Sequence, residues 1–249
     1  MRPAPLTKYL TYQLYHAIQL ALKLSKESDI EHLHQFRVAI RRSRSLLRLY
    51  LPEYYALQEI LRGIVKQTNI LRELDVFIAS VDTAAYPDVV RILHEYRNEQ
   101  FDLYLTDAFL ARSIAALHKL YDTLCDINPD IATEVLIETA ESHTAESLQS
   151  YNDLPPKASD KVLHQLRIRF KISRYAMEFL HHSALHEERE TIRTCKKIQD
   201  HLGEVQDAFN QLKLLKHFYR THRSKECKKL LKERKAQLAE LRKLTVSNQ

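Results

Sequence analysis

Histidine and basic side chains recur on one helix face in two separate segments of the sequence. The first segment reads HQFRVAIRRSRSLLR at residues 34–48, and the second reads HQLRIRFKISR at residues 164–174. On a helix, which turns by about 100° per residue, the basic residues of each segment fall within one narrow stripe. The stripes contain His34, Arg37, Arg41, Arg44 and Arg48 in the first segment, and His164, Arg167, Lys171 and Arg174 in the second.

Such stripes are typical of a binding site for a polyanion. Like charges one helical turn apart repel each other, and neither segment contains an acidic residue between its histidine and its last matched arginine. Guanidinium groups bind phosphate oxygens through two parallel N–H donors, so a phosphate chain would offset this repulsion. The alternative is a basic helix surface that acidic neighbours neutralise. Arg42 and Arg169 point away from the stripes and are expected to face water.

The two histidines, His34 and His164, titrate near neutrality. Beside a polyanion the protonated imidazole is favoured, and the pKa of the histidine rises. We therefore expect the protein to bind its ligand more tightly as the pH falls from about 8 to about 6.

An internal repeat connects the two segments. Residues 34–44 align with residues 164–174, and a weaker match aligns residues 62–76 with residues 196–210. Two matches in the same order predict an internal duplication that forms two equivalent helical bundles. The second match adds Arg62, Lys66 and Lys196 as secondary binding candidates, and Glu73 and Asp207 as acids that either orient an arginine from behind or are simply solvated.

The composition predicts an all-α protein. The chain has 249 residues, of which 45% are hydrophobic, and it contains only 2 Gly and 7 Pro. Few Gly and Pro leave little material for tight turns, while the abundant Leu, Ala, Lys, Glu and Arg favour helices. A net charge of +6 favours anionic partners. Three scattered cysteines without a CxxC motif suit a reducing compartment, and no long apolar run could span a membrane, so a cytoplasmic location is predicted.

Apolar periodicity predicts eight or nine long antiparallel helices joined by short loops. A capping box at Ser28 and Glu31 should start the second helix, Pro52 the third, and Ser159 or Asp160 the helix of the second stripe. The linker is expected at about 150–159, and the two halves at residues 1–126 and 127–249. The predicted helices cover about 6–25, 28–51, 52–81, 87–105, 108–126, 129–151, 160–182, 186–219 and 222–244.

Other chemistries find less support in the sequence. His182 and His186 have the i, i+4 spacing of metal ligands but lack a third ligand in an HExxH pattern, so neither a dedicated metal site nor a cofactor is predicted. Divalent cations would arrive only as counter-ions of the phosphate. No P-loop or nucleophile elbow is present, which leaves a metal-dependent phosphohydrolase as an alternative. Nucleic acid is the other alternative, although the chain has no Trp to stack on bases.

The sequence resembles a CHAD domain, the conserved histidine α-helical domain, over nearly its whole length. The resemblance rests on residues 34–44, on LRELDV at 71–76, on residues 163–179 and on LGEVQDA at 202–208. It implies two four-helix bundles related by a pseudo-twofold axis, whose basic residues face a central groove that binds inorganic polyphosphate. It also implies association with polyphosphate granules or with polyphosphate-metabolising enzymes. The ExExK signature of the CYTH triphosphatase domain is absent, so a stand-alone, non-catalytic binding module is predicted.

The resemblance implies that both stripes bind the ligand, but the two halves differ at three positions. Glu178 stands in the second half where the first has Arg48, and Asn69 stands in the first half where the second has Gly203. Glu73 stands where the family pattern has Asp.

Overall fold

The computed structural model describes residues 3–155 and 157–247, which form ten α-helices and no strand. This confirms the predicted all-α class, whereas the internal duplication stays a prediction. None of the helices in these residues has the length and apolarity that crossing a membrane requires. The helices are α1 (Pro5–Ala21), α2 (Ile30–Tyr50), α3 (Tyr55–Gln67), α4 (Asn69–Ala79), α5 (Pro87–Tyr104), α6 (Asp107–Ile127), α7 (Thr133–Asn152), α8 (Asp160–His182), α9 (Arg189–His222) and α10 (Lys225–Ser247).

The predicted long helix over 52–81 is two helices, α3 and α4, separated at Thr68. The break has a tertiary cause. The carbonyl of Val65, which an uninterrupted helix bonds to the N–H of residue 69, accepts hydrogen bonds from the Thr68 hydroxyl at 3.2 Å and from Arg37 at 2.8 Å. A side chain of α2 therefore holds the end of α3 and sets where α4 begins.

Other predicted helix boundaries also move. The cap of α2 is Asp29, whose side chain accepts from the Glu31 N–H at 2.8 Å, so the predicted capping box at Ser28 was wrong. Pro52 precedes α3 by three residues, and α7 begins at Thr133 instead of Pro129. The prediction for α8 is confirmed, because the Ser159 side chain accepts from the Val162 N–H.

Three hydrophobic cores hold the helices together. The largest is built from α1, α2, α3 and α6, with apolar side chains from α7 and from the end of α8. A second joins α4 and α5 to the end of α9 and the start of α10, and a third joins α8, α9, the end of α7 and the end of α10. Two of these cores combine helices from both sides of residue 126, so the packing units do not coincide with the predicted halves.

The buried faces of α2 and α8 fix the orientation of both stripes. Phe36 and Ile40 on α2 and Phe170 on α8 are completely buried. Since these side chains occupy one face of each helix, the charged stripes lie on another face. The two helices also contact each other directly. The cores therefore hold two basic helix faces side by side, where mutual repulsion alone would separate them.

A buried ion pair attaches α5 to α4. The Arg97 Nε atom lies 2.6 Å from the Asp75 Oδ1 atom, and the two side chains are only 10% and 1% exposed. Removing one member of such a pair leaves a buried charge without compensation, which is far more destabilising than losing an exposed pair.

We expect the substitution Asp75→Ala to lower the free energy of unfolding by about 3–5 kcal/mol, because the Arg97 charge would remain buried and unpaired. Urea unfolding followed by circular dichroism measures the change. The control is Asp102→Ala, which breaks the exposed Lys26–Asp102 pair and should cost less than about 1 kcal/mol. Equal losses in the two variants would contradict the structural role of the buried pair.

Candidate functional site

Two cavities lie along the contact between α2 and α8. Cavity A, of about 580 Å³, opens between these helices and α4 and α9, and cavity B, of about 360 Å³, opens toward α3. Charged residues and histidines dominate both walls. Cavity A is lined by His34, Arg37, Arg41, Arg42, Arg72, Glu73, His164, Arg167, Lys171, Arg174, Asp200 and Asp207, and cavity B by Arg41, Arg44, Arg48, Arg62, Lys66, His164, Arg167 and Lys171.

The structure brings together all but one of the predicted binding residues. Arg41, Arg167 and Lys171 line both cavities and so form the boundary between them. No acidic side chain lines cavity B, whereas three line cavity A. The exception is Lys196, which is exposed on α9 and lines neither cavity.

Four cations at the centre of the site lack partners. The side chains of Arg41, Arg72, Arg167 and Lys171 form no hydrogen bond or ion pair with any residue in the described part of the chain. Burial, followed by the charges of Arg167 and Arg41, holds the pKa of Lys171 well below its usual value. Burial likewise lowers the pKa of Arg41. The folded protein thus concentrates positive charge at a place where a bound anion would relieve both desolvation and repulsion.

Arg37 is engaged by the protein itself. It is 2% exposed, and its guanidinium donates to the Val65 carbonyl, to the Thr68 hydroxyl and, at 2.7 Å, to the Asn69 side-chain oxygen. These bonds hold the junction between α3 and α4. Although Arg37 lines cavity A, as its place in the stripe predicted, most of its hydrogen-bonding capacity is used within the fold.

Arg167, the position matched to Arg37, is arranged differently. Its guanidinium lies against α9 at Gly203, where a Cβ atom would be only 3.3 Å from the Arg167 Nη2 atom. Glycine therefore leaves room for the arginine but offers no side-chain acceptor, whereas Asn69 at the matched position binds Arg37. One of the two matched arginines is consequently a structural residue, and the other has free donors for a ligand.

The prediction that Arg42 faces water was wrong. Arg42 lines cavity A, and its Nη2 atom donates to Glu178 at 3.0 Å across the contact between α2 and α8. Glu178 also accepts from Arg174 at 3.0 Å, so Arg174 is paired as well. Arg169 forms an ion pair with the exposed Glu146 on α7. The helix angle alone placed Arg42 incorrectly, because its partner Glu178 belongs to another helix.

Both histidines line cavity A, and His164 also lines cavity B. His34 is half-buried, while His164 is exposed and its Nδ1 atom is 3.0 Å from the Gln206 Oε1 atom. Burial lowers the pKa of both, and nearby cations, Arg72 for His34 and Arg167 for His164, lower it further. In the ligand-free protein the pKa shift is thus opposite to the shift expected beside a polyanion.

Glu73 and Asp207 line cavity A. Burial raises the pKa of both carboxyl groups, and the charges of Arg37 and Arg167 respectively are the largest opposing influences. Each acid thus lies near the stripe arginine of its own half. Neither forms a hydrogen bond or an ion pair with a residue in the described ranges, so no contact supports the prediction that they orient an arginine from behind.

Sequence reasoning missed Arg72 as a binding candidate. It lies in cavity A beside Glu73, but its matched residue in the second half is the uncharged Gln206, so the repeat does not mark it as a basic position. The secondary candidates differ in their pairing. Lys66 lines cavity B, and Arg62 lines it while donating to Glu59 at 2.7 Å.

The histidine-rich segment after α8 does not bring His182 and His186 together as metal ligands. The helix ends at His182, so the i, i+4 spacing is not realised on one helix face. His186 instead lies 3.2 Å from carboxylate oxygens of Glu141 and Glu188, forming ion pairs when it is protonated.

The fold and the cavities define an all-helical protein with cationic cavities along the contact of two central helices. The family model of the CHAD domain matches residues 8–216, and the chain therefore belongs to the CHAD family. A crystal structure of the CHAD domain from the plant Ricinus communis is similar, with a TM-score of 0.78 and 20% sequence identity over 96% of this chain and 88% of that chain. At this identity the likeness shows the fold. A comparison with curated proteins finds no match.

We expect Arg37→Ala to lower the free energy of unfolding by at least about 2 kcal/mol, since hydrogen bonds from a charged group contribute about 1.5–3 kcal/mol each. Urea unfolding measures this loss. The matched control is Arg48→Ala, an exposed arginine of the same stripe, which should change stability by no more than about 0.5 kcal/mol. If the two variants were equally stable, Arg37 would not hold the α3–α4 junction.

Proposed function

We propose that this protein binds inorganic polyphosphate, or a similar phosphate-rich polyanion, along cavities A and B without catalysing a reaction on it. The observation that carries this proposal is a group of four half-buried cations, Arg41, Arg72, Arg167 and Lys171, whose side chains form no ion pair with any residue in the described ranges. Charge-assisted hydrogen bonds to phosphate are the strongest interactions that such side chains make. Membership of the CHAD family supports the same ligand, because polyphosphate binding is associated with that family.

The arrangement of charge favours a chain of phosphates over a single phosphate. Arg41, Arg167 and Lys171 belong to both cavities, so a ligand bound to them can continue in either direction. In cavity B it would meet only basic and neutral side chains, including Arg44, Arg48 and Lys66. Polyphosphate granules and polyphosphate-metabolising enzymes in the cytoplasm are the partners that we propose on this basis.

Nucleic acid also presents a chain of phosphates, but a site that binds it usually needs contacts to the bases as well. Proteins that bind single strands without sequence preference usually provide aromatic side chains on which bases stack. Tyr175 is the one aromatic residue that lines either cavity, and it is 3% exposed. This favours a ligand without bases.

A metal-dependent phosphohydrolase is the second candidate. It is favoured by Glu73 and Asp207, two carboxylates that line the same cavity as the cations and could hold a divalent ion. Incubation with polyphosphate and Mg²⁺ or Mn²⁺ tests it, because release of inorganic phosphate that disappears in Glu73→Gln/Asp207→Asn would favour catalysis over binding alone.

We expect the double substitution Arg41→Ala/Lys171→Ala to weaken binding of long-chain polyphosphate by at least about tenfold, the loss of one charge-assisted contact. Isothermal titration calorimetry measures the affinity, with single-stranded DNA of equal charge as competitor. The matched control, Lys232→Ala/Lys235→Ala, removes the same charge from the exposed face of α10 and should change the affinity little. Equal losses in both variants, or equal competition by DNA, would mean that only a general basic surface binds.

We also expect polyphosphate binding to strengthen as the pH falls. Because burial and nearby cations lower the pKa of His34 and His164 in the free protein, and a bound polyanion raises it, binding takes up protons. The affinity begins to rise as the pH falls through the pKa that the two histidines have in the complex. It continues to rise below about pH 6.5, the ordinary pKa of histidine. Titrations at several pH values should show a smaller gain in His34→Asn/His164→Asn, and identical profiles would contradict a role for the histidines.

A further inference from the structure

The carboxylate of Glu178 is bound by two arginine side chains from different helices. Its Oε2 atom accepts from Arg42 Nη2 on α2 at 3.0 Å, and its Oε1 atom accepts from Arg174 Nη1 on α8 at 3.0 Å. The carboxylate is 19% exposed, and both arginines line cavity A. Two guanidinium groups from different helices therefore converge on one anionic group at the wall of the proposed binding site.

Both arginines are held in place independently of Glu178. Their guanidinium carbons lie 5.7 Å and 4.7 Å from the centre of the buried Tyr175 ring, for Arg42 and Arg174 respectively. Arg174 also donates through Nε to the Gln199 side-chain oxygen at 3.0 Å. Stacking on an aromatic face and this additional bond restrict the arginines, so they would remain converged after the carboxylate leaves.

The sequence repeat marks the same position as a difference between the two halves. Glu178 aligns with Arg48, which lines cavity B and forms no ion pair in the described residues. One half thus carries a free cation at the end of its stripe, and the other carries an anion that neutralises two cations.

We propose that Arg42 and Arg174 form a phosphate subsite that Glu178 fills as an internal counter-ion, so that polyphosphate enters the subsite only by displacing this carboxylate. The proposal rests on the proposed function. Each interior unit of polyphosphate has two non-bridging oxygens and one negative charge, as a carboxylate has, so it can bind both guanidinium groups at once in place of Glu178. Glu178 in this arrangement limits the affinity and reserves the subsite for ligands that are already anchored at Arg41, Arg167 and Lys171.

A purely structural role predicts the opposite result. If Glu178 mainly braced α2 against α8, removing its charge would loosen the contact and weaken ligand binding. An internal counter-ion predicts tighter binding, because two arginines become available. The sign of the change in affinity therefore separates the two roles.

The experiment compares long-chain polyphosphate binding by the wild type, Glu178→Gln, Arg42→Ala and the double variant, using calorimetry at several salt concentrations. We expect Glu178→Gln to tighten binding by about tenfold, the value of one additional charge-assisted contact. The dependence of affinity on salt should also steepen, since a further phosphate contact releases more counter-ions. Arg42→Ala should weaken binding at least about threefold more in the Glu178→Gln background than in the wild type, because only there is Arg42 free to bind the ligand.

The matched control is Asp200→Asn, which removes one negative charge from the same cavity without breaking an ion pair in the described residues. If Asp200→Asn increased the affinity as much as Glu178→Gln does, the loss of one negative charge would explain both results, and the proposed subsite would be overturned. Unchanged or weaker binding in Glu178→Gln, with its thermal unfolding unaltered, would also overturn it. If that variant does not fold, Glu178→Ala is measured with the same criteria. Absence of polyphosphate binding by the wild type would instead refute the proposed function.

Discussion

Partly buried positive charge that has no direct ion-pair partner among the described residues is the constraint on which this structure depends. Arg41, Arg167 and Lys171 repel one another where α2 meets α8, and burial lowers the pKa of Arg41 and of Lys171. Hydrophobic packing elsewhere holds them together: Phe36 on α2 and Phe170 on α8 are completely buried in two different cores, and the end of α8 packs into the core that contains α2. The cores thus keep open a site whose charges would separate if the helices were free to move.

The two stripes share a pattern but differ in how their cations are used. In the first, Arg37 binds Asn69 and the end of α3, while Arg48 at the other end is unpaired. In the second, Arg167 lies unpaired over Gly203, while Arg174 is bound to Glu178. Free cations therefore occupy opposite ends of the two stripes. The two stripes therefore form a surface that is not symmetric in charge.

The sequence was informative where local chemistry decides the structure, and silent where distant contacts decide it. Helical periodicity and the cap at Ser159 predicted α8 correctly, and the common spacing of the stripes identified most of the basic side chains that line the cavities. The break at Thr68 could not be predicted, because it depends on a hydrogen bond from Arg37 to the carbonyl of Val65, and these two residues are 28 positions apart in the chain. The placement of Arg42 depends on Glu178, which is 136 residues distant. Propensity and periodicity carry no information about such partners.

The packing of α4 and α5 has a consequence for how the protein unfolds. Phe77 and Leu93, from the first half of the chain, share a core with Leu215 and Phe218 on α9. A chain cut near residue 126 would expose this core to water on both fragments, so neither fragment could keep its native packing alone. The helices on the two sides of residue 126 consequently depend on one another for stability, because unfolding of either side would expose the apolar residues of the shared core to water.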